Sequence, residues 1–309
     1  MHHKMSDFIL AIHDASMYLS PVEFHRWTLK EFRRHIDFDF AIWGAGNGQS
    51  RELHMATMLD QVDTFFDTWE AVKHVDDYAD LVIGNTGKTW SIEQLPEFRH
   101  SRAYSEHWGL YHARQLISTM EVDPRTGLHI FVTLARENTG HSFAAQDMAI
   151  KNLVTQHLFL AARHNEMHSL RASQVPAAFI DRRGLVHAAL PEFIALMAGE
   201  WGKQAGQVLP EAVAQALWQQ GQYRHGRLRL NAERLHNRLL VRAGVSPPVQ
   251  LSVREEQIAW LYANGASHKQ VAKQLDISPT TVRTHLARIY QKLDITDKGS
   301  LAIWLKENS

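Results

Sequence analysis

The spacing of apolar positions is clearest near the C-terminal end. Ile258, Leu261 and Tyr262 fall at i, i+3, i+4, and Val271 and Leu275 are four apart. Val282, Leu286, Ile289 and Leu293 make one continuous stripe along a helix. Each run has its own start signal. Ser252 stands three residues before Glu255, and Ser267 three before Gln270. At this spacing hydroxyl and acid or amide each satisfy an orphan backbone N–H, which is a capping box. Ser278 is followed by Pro279, an N-cap serine with proline at the first helical position, where no N–H is needed. Asn264-Gly265 closes the first helix. A fourth, from about Asp297 to Glu307, carries Leu301, Ala302 and Leu305.

Upstream the period changes repeatedly. Asp7 to Tyr18 and Pro21 to His35 read as helices. Phe38 to Trp43 alternates as a strand and runs into Gly44, Gly46 and Gly48, which read as a turn, with Arg51 to Thr57 as the partner strand. Gln61 to Val75 reads as a helix. Ala113 to Val122 and Leu128 to Arg136 flank the turn signal Asp123-Pro-Arg-Thr-Gly127 and form a hairpin. Phe143 to about Leu170 is one long helix with Val154, Leu158, Ala161 and Ala162 on a face. Pro176 to His187 reads strand, turn, strand. A helix begins at Pro191, and Leu228 to Arg242 is arginine-rich with strand-like spacing. Val245-Ser-Pro-Pro-Val249 is a stiff connection. The expected organisation is thus 1–170, 175–245, a linker at 246–250, and 251–309. The fold class is α+β: an N-terminal domain with an antiparallel sheet flanked by helices, a small α+β segment, and a four-helix C-terminal domain.

Composition narrows the class. Cysteine is absent, which excludes disulfides and thiolate metal sites. The early apolar run Phe8 to Ile12 is broken by His13 and Asp14, so no signal peptide is expected. No stretch approaches the roughly 20 apolar residues of a membrane span, and a cytoplasmic protein is expected. The 33 basic and 33 acidic residues cancel overall, but not locally. Residues 1–174 hold 16 basic and 22 acidic side chains, residues 175–250 hold 9 and 5, and residues 251–309 hold 8 and 6, so positive charge gathers toward the C-terminal end.

Only Asp276 to Pro279 separates the second C-terminal helix from the third, the spacing of a helix-turn-helix, whose second helix enters the DNA major groove. The segment resembles the LuxR/FixJ-type helix-turn-helix of bacterial transcription regulators. The resemblance rests on Leu251, Arg254, Glu255, Ile258, Gly265, Lys269, Val271, Ala272, Leu275, Ile277, Ser278, Val282, Arg283, His285, Ile289, Lys292 and Leu293. Gln270 departs from a usual Glu, and Thr280 from a common Lys or Arg. The resemblance places base reading on Arg283, Thr284, Ala287 and Arg288 of the third helix. Arg can grip guanine O6 and N7, and a Thr methyl can touch a thymine methyl. Thr281, at the helix N-terminus, and Lys269 and Lys292 would contact phosphates. With a net charge of +2 one copy binds weakly, so a homodimer presenting two readers to double-stranded DNA is expected.

Residues 1–170 resemble a GAF-type or autoinducer-binding sensory domain, and 175–245 resembles the beginning of a PAS-type module. The aromatic residues Trp43, Trp69, Trp90, Tyr104, Trp108 and Tyr111 are the candidate wall of a pocket for a small apolar ligand. Acyl-homoserine-lactone receptors carry Trp-x3-Tyr, then Asp-Pro, then Trp. Here Lys73 follows Trp69 at that spacing and Leu81 follows Asp80, while Trp90 is in place. The ligand therefore stays unnamed.

Other signals lead nowhere. Gly84-Asn-Thr-Gly-Lys-Thr89 imitates a phosphate loop, but Val82 stands where its first glycine belongs. His164 and His168 are four apart on the long helix, yet no acid completes a metal site. Neither metal nor cofactor is expected. No nucleophile elbow or nucleotide fingerprint points to an enzyme. The expected function is a ligand- or partner-responsive DNA-binding regulator; the alternative is a docking module without specific DNA binding.

Overall fold

The computed structural model describes residues 2–62, 64–138, 140–235, 237–246, 251–293 and 295–307. The chain forms two compact units, Met1–Gly244 and Val245–Ser309.

The first unit starts with α1 (His2–Ala15) and α2 (Pro21–Phe32). Ser20 and Glu23 form a capping box at the start of α2. Strands β1 (Phe40–Gly46) and β2 (Leu53–Leu59) follow, then α3 (Phe65–Val72), α4 (Asp77–Gly84) and the short β3 (Thr89–Ser91). Irregular turns, among them a π-helical turn at Tyr104–Trp108, lead to β4 (Gln115–Val122) and β5 (His129–Arg136). The sheet runs β2-β1-β5-β4-β3, with every pair antiparallel. The β4–β5 hairpin closes through Asp123 to Gly127, where Gly127 supplies a φ of +70°.

Side chains alternate along a strand, so β1 serves two cores. Ala41, Trp43 and Ala45 join Phe8, Ile12, Phe24, Phe32, Leu158 and Phe159 on the side of α1, α2 and the long helix α5 (Ala145–Ala172). Phe40 and Ile42 join Phe65, Tyr78, Val82, Phe98 and Trp108 on the other. The glycines read as a turn are corrected here: Gly44 and Gly46 lie within β1. A Cβ on Gly44 would run into the Phe131 ring, so the strand tolerates no side chain there without displacing that ring.

One amine is buried on the α5 side. Lys151 Nζ donates to Thr119 Oγ1 (2.7 Å) and to the Val132 carbonyl (2.7 Å), fastening α5 across β4 and β5. Burial holds its pKa well below the usual lysine value.

A second sheet uses β6 (Ala177–Asp181), β7 (Val186–Ala189), β8 (Gln222–His225), β9 (Leu228–Leu235) and β10 (Arg238–Val245), with α6 (Pro191–Trp201) and α7 (Glu211–Gln220) between β7 and β8. Its order, β7-β6-β10-β9-β8, repeats the connectivity of the first sheet. One face packs on Phe193, Met197, Val213 and Leu217 from α6 and α7. The other packs Phe179, Ala188 and Leu240 on Leu170 of α5, which therefore serves both sheets. The strand, turn and strand expected from Pro176, and the helix from Pro191, are present. Leu228 to Arg242, with its strand-like spacing, falls on two strands, β9 and β10.

The second unit holds α8 (Val253–Ala263), α9 (His268–Leu275), α10 (Pro279–Leu293) and α11 (Lys298–Glu307) around Ile258, Val271, Val282, Leu286, Ile289 and Leu301. Residues 247–250 of the expected linker lie outside the described residues. Among the described residues no helix is long and apolar enough to cross a membrane.

Burial also creates an acid-sensitive point. His107 is enclosed beside Phe65 (ring centroids 4.4 Å apart), with Nδ1 at 2.8 Å from Thr68 Oγ1. Desolvation lowers its pKa to about 3. The unfolded chain takes up a proton near pH 6.5 and the folded chain does not, so stability falls as pH drops from about 6.5 toward 3. Each pH unit in that window costs up to about 1.4 kcal/mol. Urea melts at pH 7, 5.5 and 4.5 should show a shallower acid loss for His107→Leu than for wild type. Parallel losses would contradict this.

Candidate nucleic-acid interface and apolar cavity

The helices of the second unit are set by local chemistry. Ser252 Oγ accepts from Glu255 N–H (3.3 Å), and Ser252 N–H donates back to Glu255 Oε2 (2.8 Å). Ser267 and Gln270 repeat the arrangement. The turn between α9 and α10 depends on Asp276, which takes a left-handed conformation (φ 53°, ψ 50°) as the cap of α9. Ser278 Oγ then accepts from Thr281 N–H at 3.0 Å and opens α10.

Two charged contacts hold these helices together. Arg254 Nη2 donates to the Leu275 carbonyl, placing a cation on the C-terminal end of α9. Buried Glu255, at the start of α8, accepts from Lys292 Nζ at the far end of α10 (2.6 Å). The Lys292 ammonium and the Ser252 N–H hold the Glu255 carboxyl at about 2, below the usual range.

The buried stripe of α10 leaves Thr280, Arg283, Thr284, Ala287, Arg288 and Gln291 exposed. Thr284 gives its hydroxyl to the Thr280 carbonyl (3.1 Å), so its methyl is what it offers to a partner. Lys269 and Lys273 are exposed on α9. Among the described residues none of Arg283, Arg288 and Lys269 forms an ion pair.

In the first unit, the sheet face opposite α5 borders a small cavity of about 80 Å³, open to solvent on one side. Ile42, Met120, Phe131, Ser118 and Thr133 come from the sheet, Phe65, Phe66 and Trp69 from α3, Tyr78, Val82 and Ile83 from α4, and Trp108 from the π-helical turn. Beside it lies buried Asp76, the cap of α4. Its Oδ2 accepts from the Trp69 and Trp108 indoles (3.2 and 2.9 Å), and its Oδ1 from Ala79 N–H (2.9 Å). Burial raises the Asp76 pKa, and these donors oppose that rise. Arg51 closes the rim, paired with Asp80 and donating to the Lys73 carbonyl (2.8 Å).

Comparison with known proteins bears on the helical unit. Residues 249–305 match the family model described as bacterial regulatory proteins, luxR family. Residues 249–305 are a luxR-family domain. The monoamine regulon transcriptional regulator of Klebsiella aerogenes is 41% identical over 54 residues, 18% of this chain and 24% of that protein. The transcriptional regulatory protein LiaR of Bacillus subtilis is 36% identical over 62 residues, 20% of this chain and 29% of that protein. The chain thus spans about a quarter of the length of these relatives. The solved structure of Escherichia coli SdiA covers 96% of this chain and 95% of its own at 12% identity and a TM-score of 0.40, too distant to bear on the argument.

Within the luxR-family domain, Arg283, Thr284, Ala287 and Arg288 lie on the exposed side of α10, and Lys269 stands exposed on α9. Thr281, half-buried in the first turn of α10, has its hydroxyl 2.9 Å from Ser278 Oγ. Lys292 is also exposed, but its ammonium is given to Glu255; its first task is structural.

The aromatic set is divided by the structure. Trp69 and Trp108 line the cavity. Trp43 does not: odd positions of β1 face α2 and α5, and its indole stacks on His25 (4.2 Å) in the opposite core. Trp90 donates to the Asn85 carbonyl, Tyr111 donates to the Thr64 carbonyl, and Tyr104 packs on Phe98 in the wall behind. The residues missed were Phe65, Tyr78, Met120 and Phe131, which ordinary core spacing concealed, and Asp76, whose Asp-x-x N-cap position was the available signal. The imitation phosphate loop is the exit of α4 into β3, the reverse of a strand entering a helix.

Removing the ammonium from Glu255 should loosen the luxR-family domain. Lys292→Met is expected to cost about 1–3 kcal/mol, the usual cost of stranding a buried hydrogen-bonding group. Because Glu255 then loses the partner that keeps it ionised, the deficit should appear at neutral pH and shrink as pH falls through about 4 toward 2. Thermal melts of wild type and variant at pH 7 and pH 3 would check this; an equal deficit at both would count against the pair.

Proposed function

We propose that the protein is a transcription regulator that binds double-stranded DNA through α10 and responds to a small molecule held in the cavity of its first unit. The observation that carries the DNA reading is the exposed pair Arg283 and Arg288, without an ion pair among the described residues, on the same side of α10 as Thr284 and Ala287. An arginine there can bond guanine bidentately, and a threonine methyl can contact thymine. Lys269 and Thr281 supply phosphate contacts beside it, and the N-terminus of α10 adds its dipole. The protein acts in the cytoplasm, where such DNA is reached, and reads its substrate rather than transforming it.

The cavity supports the sensing role by its chemistry. Its walls are apolar and aromatic, with Ser118, Thr133 and Arg51 as scattered polar points, the balance that suits a compact, largely apolar ligand. A homodimer completes the reading, since a domain of slight positive charge gains affinity from a second copy. Leu153 and Leu160, seven residues apart on one face of α5, are exposed and suit such a contact.

Two measurements test this. In mobility-shift assays with fragments upstream of candidate target genes, wild type should bind selectively and more weakly as salt rises. Arg283→Ala should lose about 1–3 kcal/mol and relax the preference at one base position. Salt-independent or unselective binding would leave the docking alternative instead. In sedimentation velocity, Leu153→Glu with Leu160→Glu should shift a wild-type dimer to monomer and weaken DNA binding. A double variant that still sediments as wild type would remove α5 from the interface.

A further inference from the structure

Three side chains from three strands meet in the first unit. His54 lies on β2 of the first sheet, Asp181 ends β6 of the second, and His187 lies on β7. His54 Nδ1 is 2.5 Å from Asp181 Oδ2, and His187 Nε2 is 3.2 Å from the same oxygen. One ligand-type atom from each lies within 4.8 Å of the other two. A first-row divalent ion with bonds of about 2.0–2.2 Å holds its ligand atoms roughly 3–3.6 Å apart, within reach of this spread.

The carboxylate is fixed for such a role. Asp181 Oδ1 accepts the Arg183 and Leu185 N–H groups (2.9 and 3.0 Å), which leaves Oδ2 to the two imidazoles. Among the described residues, the ion-pair partners of Asp181 are those imidazoles. Two of the cations nearby are taken elsewhere: Arg183 pairs with Glu52, and Arg238 with Glu166 (2.5 Å). His54 is positioned through its own carbonyl, which accepts from Asn237 Nδ2 (2.8 Å). The two N–H groups on Oδ1 orient the Asp181 carboxylate, as the outer shell of a metal site does.

One side is accessible. His54 and Asp181 form part of the wall of a groove of about 1010 Å³, open to solvent, with Arg182, Trp218, Arg234 and Asn237. Two imidazoles and one carboxylate with access from a groove leave coordination positions for water or a ligand. The donor set suits zinc and its first-row neighbours, and not calcium or magnesium, which take oxygen ligands.

We propose that His54, Asp181 and His187 bind one divalent first-row transition metal ion, with the remaining positions facing the groove. The ion would join β2 to β6 and β7, and so tie the two sheets of the unit together.

The test is a cobalt titration of the full, untagged chain after chelator treatment. Wild type should take up one Co²⁺ per chain with visible ligand-field absorption, and Zn²⁺ should displace it. Asp181→Asn, which retains Oδ1 for the turn, and the more accessible His54→Gln should each weaken binding at least about tenfold. Changing the helical pair, His164→Gln with His168→Gln, should leave the titration unchanged. Zn²⁺ should also raise the melting temperature of wild type and not of His54→Gln. The proposal is overturned if wild type shows no saturable one-to-one binding. It is equally overturned if His54→Gln, folded by circular dichroism, binds as wild type, or if the helical pair proves to be what holds the metal.

Discussion

The first unit depends on the burial of β1 from both sides. A strand in the middle of an antiparallel sheet sends alternate side chains to opposite faces, and here neither face is left to water. Helices α1, α2 and α5 cover one face with long, regular surfaces. The other is covered by two eight-residue helices and a set of irregular turns. Short elements cannot interdigitate with a sheet as completely as long helices do, and rings of fixed shape fill the rest. The cavity lies where that covering is incomplete, and Gly44, by carrying no side chain, leaves room for the Phe131 ring that forms part of its wall.

The helical unit solves a different problem. It is small, its core is a handful of aliphatic side chains, and it must still present α10 at a fixed angle. The ends of its helices do much of that. Glu255 both caps α8 and receives Lys292 from the last turn of α10, so a single carboxylate joins two helix ends. Arg254 does the same for α8 and α9 through the Leu275 carbonyl. Neither contact uses Arg283 or Arg288, which stay exposed on α10.

Much of this was legible before the structure. Caps and turns are local, so Ser252, Ser267, Ser278 and Asp123 to Gly127 could be read from neighbours alone. Period is also local: α5, α10 and the β4–β5 hairpin lie close to where their spacing placed them. What was hidden depends on distance along the chain. Trp43 looks like its fellow aromatics until strand alternation assigns it to the other core. Lys292 reads as a phosphate contact until Glu255, 37 residues away, is brought beside it. His54 and Asp181 are 127 residues apart, and no spacing rule joins two sheets. The repeated connectivity of those sheets was invisible as well, because their sequences share no repeat that would reveal it.

Lys151 limits how the long helix can behave. Its amine is fully buried and has two acceptors, both on the sheet. Turning α5 about its own axis would carry that nitrogen away from both and leave it dry and unbonded, at a cost of several times thermal energy. Sliding by a full turn would do the same. Tilting about Lys151 does neither. The helix is therefore pinned at the end of its first quarter by Lys151 and again farther along, where Asn165 Nδ2 donates to the Ser16 and Leu19 carbonyls and Glu166 accepts from Arg238, so its end at Leu170 beneath the second sheet is tied to the first sheet and to α1 alike.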